Sequence, residues 1–507
     1  MESPARFAAA LIFLCVNSFS ASGQDASRRL HLPDADGGNH TGHDQHDDSR
    51  RRDGTPMSDI QHRITNPLAV SGDEAVGKSY TNPPPVPSAT APEWFDPGGM
   101  DVLQVHNLES LLSLAAANNP TLRQARLHIN AELNRAVQAG LYPNPTVAVI
   151  GEQIGLNGTA GEWVGAEIGQ TFVTGGKLKL SRNKYLQRAK VAEHKAMAQQ
   201  FRVCNDIRIH FYRTLAALEM LSLKQELLKT AEDHMLTARE MYNLGQANQA
   251  SLQQEATALQ MHRLTVMRAK NHVRRSMLEL SSLAGSEMTD IQIDGVLRSD
   301  QPLIDFDVAL NNLIECSPEL LAANAKLRED CITVNRERVE WIPNLQVSAG
   351  PGYNNVDRQT TVAARIGIEV PLFDRNQGTI EQAQADYTRQ MHEIRRLRLD
   401  LRKRLAGEYD NYISAVQHVT EFESVILPAK RKAYELALTG YKRSRSEWPD
   451  VLAAQEAYTN ARLQFVQHQE SQRTSEVLIN GFLLHGGLAT PEGPVPGGHI
   501  DAVPKPR

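Results

Sequence analysis

The same order of prolines and glycines occurs twice in this chain, and that duplication limits the folds open to it. Pro120, Pro143, Gly165, Gly176 and Gly245 are answered about 200 positions on by Pro318, Pro343, Gly367, Gly378 and Gly440. In each half a short alternating stretch leads into a long one nearly free of glycine. Trp163–Val173 leads into Lys177–Leu244, and Val362–Leu372 into Thr379–Thr439, where Gly407 is the exception. The chain therefore reads as one double-length architecture, with repeats at 105–290 and 291–485, and not as a string of separate domains.

The ends read differently. In residues 1–23 Arg6 precedes an apolar run, Phe7–Phe19, followed by small residues, which is the pattern of an export signal. Leu14 is larger than a lipid-attachment site wants before Cys15. Residues 24–104 and 486–507 are expected to be unfolded, because their polar and proline-rich stretches hold too little apolar surface to offset chain entropy. Within the first of these, His40, His43 and His46 stand beside Asp44, Asp47 and Asp48, donors suited to a borderline divalent metal. A solvated histidine-rich linker is the simpler account of them.

A formal net charge of -5 gives no support for nucleic-acid binding, and no catalytic constellation or cofactor motif stands out. No second apolar run is long enough to cross a membrane as a helix. Cys316 and Cys331, some 22 Å apart along a helix, are too distant to bridge, so with Cys204 they are expected as buried small hydrophobes.

The strands carry more information. Val362, Ala364, Ile366, Ile368, Val370 and Leu372 alternate with small or polar residues, as do Val164, Ala166, Ile168 and Phe172. Leu345, Val347 and Ala349 repeat the pattern, and Thr146–Ile150 is a weaker fourth case. Each is close to the ten or so residues that a tilted strand needs to cross a bilayer. Glu167 and Glu369, on the polar faces, suit a water-filled lumen better than a packed core.

Helices make up the rest. The initial helices are expected at Leu108–Leu141 and Asp307–Trp341, ending at Pro143 and Pro343. Along Lys177–Leu244 an apolar seam through Phe201, Cys204, Ile207, Phe211, Leu215 and Leu218 predicts an amphipathic helix packed on one side. Pro428 is expected to bend its counterpart. Turnbacks at Gly245–Asn248 and Gly440–Ser446 lead into shorter helices, Ala250–Ala284 and Pro449–Asn480.

Four strands cannot close a membrane barrel, since the smallest use eight, and an open edge in lipid is costly. The strands must be shared between chains. The fold class is mainly α with a small membrane β-barrel contribution.

With these parts the sequence resembles the TolC family of outer-membrane efflux channels, from Leu108 to about Leu484. The passages Gln170-Thr171-Phe172-Val173-Thr174-Gly175-Gly176-Lys177 and Pro371-Leu372-Phe373-Asp374-Arg375-Asn376-Gln377-Gly378 carry the likeness. Asn119-Pro120-Thr121-Leu122, Ser317-Pro318-Glu319-Leu320, Tyr242-Asn243-Leu244-Gly245 and Gly440-Tyr441 agree. The Leu-Phe-Asp-Arg-Asn-Gln-Gly run is similar to that of the heavy-metal cation-efflux branch. The resemblance implies a homotrimer with a twelve-stranded barrel in outer-membrane lipid and a helical tunnel in the periplasm. It also implies a periplasmic adaptor and an inner-membrane pump as partners, with no cofactor and no enzymatic step. The turnbacks, including Gly245, Gly440, Lys442, Arg443, Arg445 and Asp450, would form the aperture or meet the adaptor. Metal cations, drugs and secreted proteins all remain open as cargo. A periplasmic helical-hairpin adaptor without a pore is the competing expectation.

Overall fold

The computed structural model describes residues 107–152, 162–286 and 293–493. The export signal, the linker with His40, His43 and His46, and residues 494–507 lie outside them.

Each half begins with two helices, not one. Helix α1 (Leu108–Asn118) stops at Asn119, and α2 (Pro120–Ala139) starts with proline at its first position. In the second half α5 (Phe306–Cys316) and α6 (Pro318–Arg338) break at Ser317 in the same way. Proline has no N–H to offer the preceding turn, so it ends one helix and suits the first turn of the next. Asn119 secures its break by capping Thr121 N and by donating from Nδ2 to the Leu283 carbonyl at 2.9 Å.

Strand β1 (Thr146–Glu152) and β2 (Trp163–Phe172) follow α2, and β3 (Leu345–Asn354) and β4 (Gln359–Ile368) follow α6. All four form one antiparallel sheet in the order β1-β2-β3-β4. The central β2–β3 pairing joins the two repeats, so the sheet is a product of both halves. Strand β4 ends at Ile368 and leaves Val370 and Leu372 outside it, because its partner β3 begins at Leu345, the residue paired with Ile368.

Helix α3 (Lys177–Asn243) is unbroken over 67 residues, about 100 Å if straight. It turns back into α4 (Gln249–Ala284). The second long rod has three parts: α7 (Gln377–Glu421), a π-turn at Phe422–Ile426, and α8 (Leu427–Lys442). Pro428 lies just past that π-turn, where one wider turn accommodates the hydrogen bond that proline cannot make. Helix α9 (Trp448–Asn480) completes the repeat.

Helix α3 does not pack along one seam. It packs against α2 and α6 near the sheet, and against α4 and α9 further on. As the inner rod of the chain it buries Val203, Ile207, Phe211, Ala217 and Leu223 between neighbours on both sides. Cys316 and Cys331 are exposed and Cys204 only half-buried, which corrects their assignment to the core. The buried stripe of α6 runs instead through Ala322, Ala325, Lys326, Glu329 and Thr333.

The segment after α9 is docked, at least as far as Gly493. The Gly486 and Gly487 amides donate to Asp206 Oδ2 on α3 at 3.1 and 2.7 Å, and Lys195 Nζ donates to the Gly493 carbonyl. Phe482 and Leu483 sit at φ 59° and 58°, in the left-handed region that side chains disfavour. Burial of both residues, and an edge contact of the Phe482 ring with Phe201 at 4.9 Å, hold that bend. Asp206→Ala removes a charged acceptor from two amides, so its expected cost is about 1.5–3 kcal/mol of local stability. Faster proteolysis of the segment around Gly486 checks this.

Beside the π-turn, His418 on α7 stacks on His468 of α9 with ring centroids 4.4 Å apart, and Phe422 leans on the same ring. Burial, and then the His418 charge, lower the His468 pKa below the ordinary imidazole value. The unfolded chain therefore takes up this proton at a higher pH than the folded chain does. Stability contributed here is present at neutral pH and is lost as pH falls below the ordinary histidine value. Acid melting between about pH 7 and 5 should be shallower in His468→Phe than in the parent.

Candidate functional site

Register assigns every strand residue to one of two faces. Val147 pairs with Ile168, Ile168 with Ala349, and Ala349 with Ala364. On that face lie Val149, Ala166, Leu345, Val347, Val362, Ile366 and Ile368 as well. Val147, Val149, Ile168, Val362, Ile366 and Ile368 are 58–82% exposed. Such a contiguous apolar surface, open to the outside, is what lipid would cover.

The opposite face is small or polar. It carries Thr146, Ala148, Gly165, Glu167, Gly169, Gln346, Ser348, Gly350, Gly352, Thr361, Ala363 and Arg365, with Ile150 and Trp163 as the large apolar exceptions. Among the described residues β1 and β4 each have a free edge. No helix among the described residues is long and apolar enough to cross a membrane.

The two lumen candidates do not come together. Glu167 lies mid-strand on the polar face of β2, opposite Ala148. Glu369 lies one residue beyond β4, close enough to the start of α3 for its charge to act on Lys177. The equal spacing in sequence does not carry over, because β4 stops early and the passage from β4 into α7 is longer than that from β2 into α3.

At the far end of the helices the turnbacks are built differently in the two halves. Gly245 takes the left-handed conformation (φ 73°) with open space around it. In the second turnback the left-handed residue is Ser444 (φ 56°), while Gly440 lies inside α8. Glycine there answers to a close approach, since a Cβ would meet Ser446 Oγ at 2.6 Å. Tyr441, Lys442, Ser444, Arg445, Ser446 and Glu447 line a cleft, and Glu447 with Asp450 forms a capping box for α9. Among the described residues Lys442, Arg443 and Arg445 take part in no ion pair within one chain.

Sequence periodicity misses a buried ionic cluster between the repeats. Arg188 on α3 meets Glu329 on α6 at 2.6 Å, and Lys326 bonds both Glu329 and Asp330 at 3.1 and 2.8 Å. Glu132 on α2 adds a third carboxyl, whose pKa burial raises against the pull of Arg135 and Arg188. The signal was available, because Lys326 and Glu329 fall on the same helical stripe as Ala322 and Ala325. Among the described residues no group of three or more His, Cys, Asp or Glu could hold a metal.

Comparison with known proteins agrees with this geometry. The model of the family described as outer membrane efflux protein matches residues 111–286 and 309–481. The cobalt-zinc-cadmium resistance protein CzcC of Cupriavidus metallidurans is 23% identical over 368 residues, covering 71% of this chain and 85% of that protein. The toluene efflux pump outer membrane protein TtgC of Pseudomonas putida is 21% identical over 399 residues, covering 73% and 81%. The open state of the Neisseria gonorrhoeae MtrE outer membrane channel superposes with a TM-score of 0.61 at 17% identity, over 76% of this chain and 90% of that one.

Proposed function

Because this chain belongs to the outer membrane efflux protein family, we propose that it is the passive export duct of a tripartite efflux system. It spans the outer membrane with its strands and reaches into the periplasm with its helices. One observation carries this reading: a four-stranded sheet with two free edges, apolar and exposed on one face and small or polar on the other. In lipid each free edge would leave backbone groups unpaired at several kcal/mol apiece. A homotrimer removes the edges by pairing β4 of one copy with β1 of the next, giving twelve strands around a polar lumen.

A periplasmic adaptor and an inner-membrane pump complete the assembly, and the pump supplies the energy. The adaptor meets the turnbacks, where Gly245 and Gly440 shape the bends and Lys442, Arg443, Arg445 and Asp450 supply charge. Arg443 and Arg445 hold the aperture shut through ion pairs to neighbouring copies, since the described residues of their own chain give them none. Arg443→Ala with Arg445→Ala should raise the resting conductance of the channel in a planar bilayer. Unchanged conductance would remove these two residues from the aperture.

Heavy-metal cations are the cargo favoured here. The likeness to a cobalt-zinc-cadmium resistance protein supports them, as does the linker bearing His40, His43 and His46 as a metal-holding segment. In this reading Glu167 and Glu369 line the cation path.

Fractionation followed by an unheated detergent gel tests the assembly. The expected product is an outer-membrane species of three chains that collapses to monomer on boiling. Recovery as a soluble periplasmic monomer would overturn the channel reading in favour of a helical-hairpin adaptor.

A further inference from the structure

The largest side chain on the polar face of the sheet is Trp163, at the outward end of β2, and it lies down against the wall. On that face Ile150, Gly165, Gly352 and Thr361 form one cross-strand row. Gly165 and Gly352 are paired, and the six-membered ring of Trp163 occupies the space above them. A Cβ on Gly352 would meet ring carbons Cζ2 and Cε2 at 2.1 and 2.2 Å, and one on Gly165 would meet Cη2 at 2.4 Å. No other residue type leaves room there. The indole reaches across β3, and its Nε1–H donates to Thr361 Oγ1 on β4 at 2.9 Å. One hydrogen bond and two glycines thus fix a bulky aromatic in the plane of the wall.

Glycine inside a strand weakens it, and two paired glycines weaken it twice. An aromatic laid over them recovers part of that loss. That packing role alone does not need the bond to Thr361, which ties β2 to β4 across β3. In a trimeric barrel, three copies of this indole stand at one level of the lumen. Upright they would project into the bore; flat they clear it.

We propose that Trp163 is a specificity-determining lumen residue, latched flat by Thr361 over the Gly165–Gly352 pair, and that this latch sets the clearance for solute at the outward end of the barrel. The inference rests on the channel reading above. Its ligand-facing surface is the exposed side of the indole, which attracts weakly hydrated cations and apolar solutes more than it does anions.

The test uses the full-length protein in planar bilayers, with Arg443→Ala and Arg445→Ala present throughout (this background serving as the parent) so that the aperture does not limit current. To it are added Thr361→Val, Gly352→Ala, Trp163→Ala and the double variant Thr361→Val/Trp163→Ala. Freeing or displacing the indole should lower single-channel conductance in Thr361→Val and Gly352→Ala. Trp163→Ala should conduct at least as well as the parent, and the double variant should match Trp163→Ala. A Thr361→Val channel with the parent's conductance overturns the proposal, as does a double variant that stays as low as Thr361→Val. Should Gly352→Ala fail to assemble, the threonine pair still decides.

A second arm does not need a working channel. In protein whose other tryptophans, Trp94, Trp341 and Trp448, are replaced by phenylalanine, Thr361→Val should red-shift Trp163 emission and raise its quenching by acrylamide. Unchanged emission and quenching would sink the latch. A parent that never conducts but shows the red shift in Thr361→Val would overturn the channel reading and leave the latch standing.

Discussion

Val149→Arg should abolish recovery of the protein from the outer membrane, while Ala148→Arg, one residue away, should leave it intact. Val149 is 82% exposed on the apolar face, where it pairs with Ala166. Arginine at the bilayer midplane of a barrel costs about 2–4 kcal/mol, and a trimer pays that in each copy. Ala148 points the other way and lies directly opposite Glu167. An arginine there gains an opposite charge on a wet surface, so its cost is small. The heat-labile three-chain species on an unheated gel reads both variants. Equal yields from the two would mean that the sheet does not sit in lipid by this face.

Arg188→Met should be the most damaging single change in the helical part. Glu329 is fully buried, and its Oε2 has no hydrogen-bond partner even with Arg188 in place. Removing one partner of a buried ion pair costs about 3–5 kcal/mol, because the other charge stays behind in a poor environment. Lys326 remains, but Asp330 also claims it. Adding Glu329→Gln to Arg188→Met should recover part of the loss, as the stranded charge is then gone. Thermal melting of the detergent-solubilised protein, parent against single and double variants, reads the effect. A single variant as stable as the parent would show that water reaches the cluster.

The architecture was legible in the sequence because its signals are backbone signals. Pro120 and Pro318 mark helix starts by what proline lacks, and alternation in Leu345–Gly350 marks a strand whichever partner it finds. Finer matching between the halves failed where residue type and backbone role part company. The left-handed N-cap of α3 is Gly176, but its counterpart before α7 is Asn376, not Gly378. Gly245 likewise answers to Ser444 and not to Gly440. Asparagine tolerates the left-handed region, so two different letters can hold the same conformation. The ionic cluster stayed hidden for another reason. Lys326, Glu329 and Asp330 are spaced like an ordinary solvent-facing helical network, and that spacing outweighs their place on the stripe of Ala322 and Ala325 until the packed helices are seen. The latch at Trp163 depends on three strands from both repeats, which no local pattern can register.

The open edges of the sheet have a genetic consequence. A chain that cannot close its own barrel has no function to lose alone; what fails is the ring it joins. A defective allele that still pairs at β1 and β4 would enter mixed rings with normal copies and spoil them, so it should be dominant. An allele that cannot offer those edges at all would be excluded from the ring and should be recessive. The severity of a lesion in this protein would then be ranked by whether the edges survive, and the mildest alleles at the level of the single chain would be the most harmful in the cell.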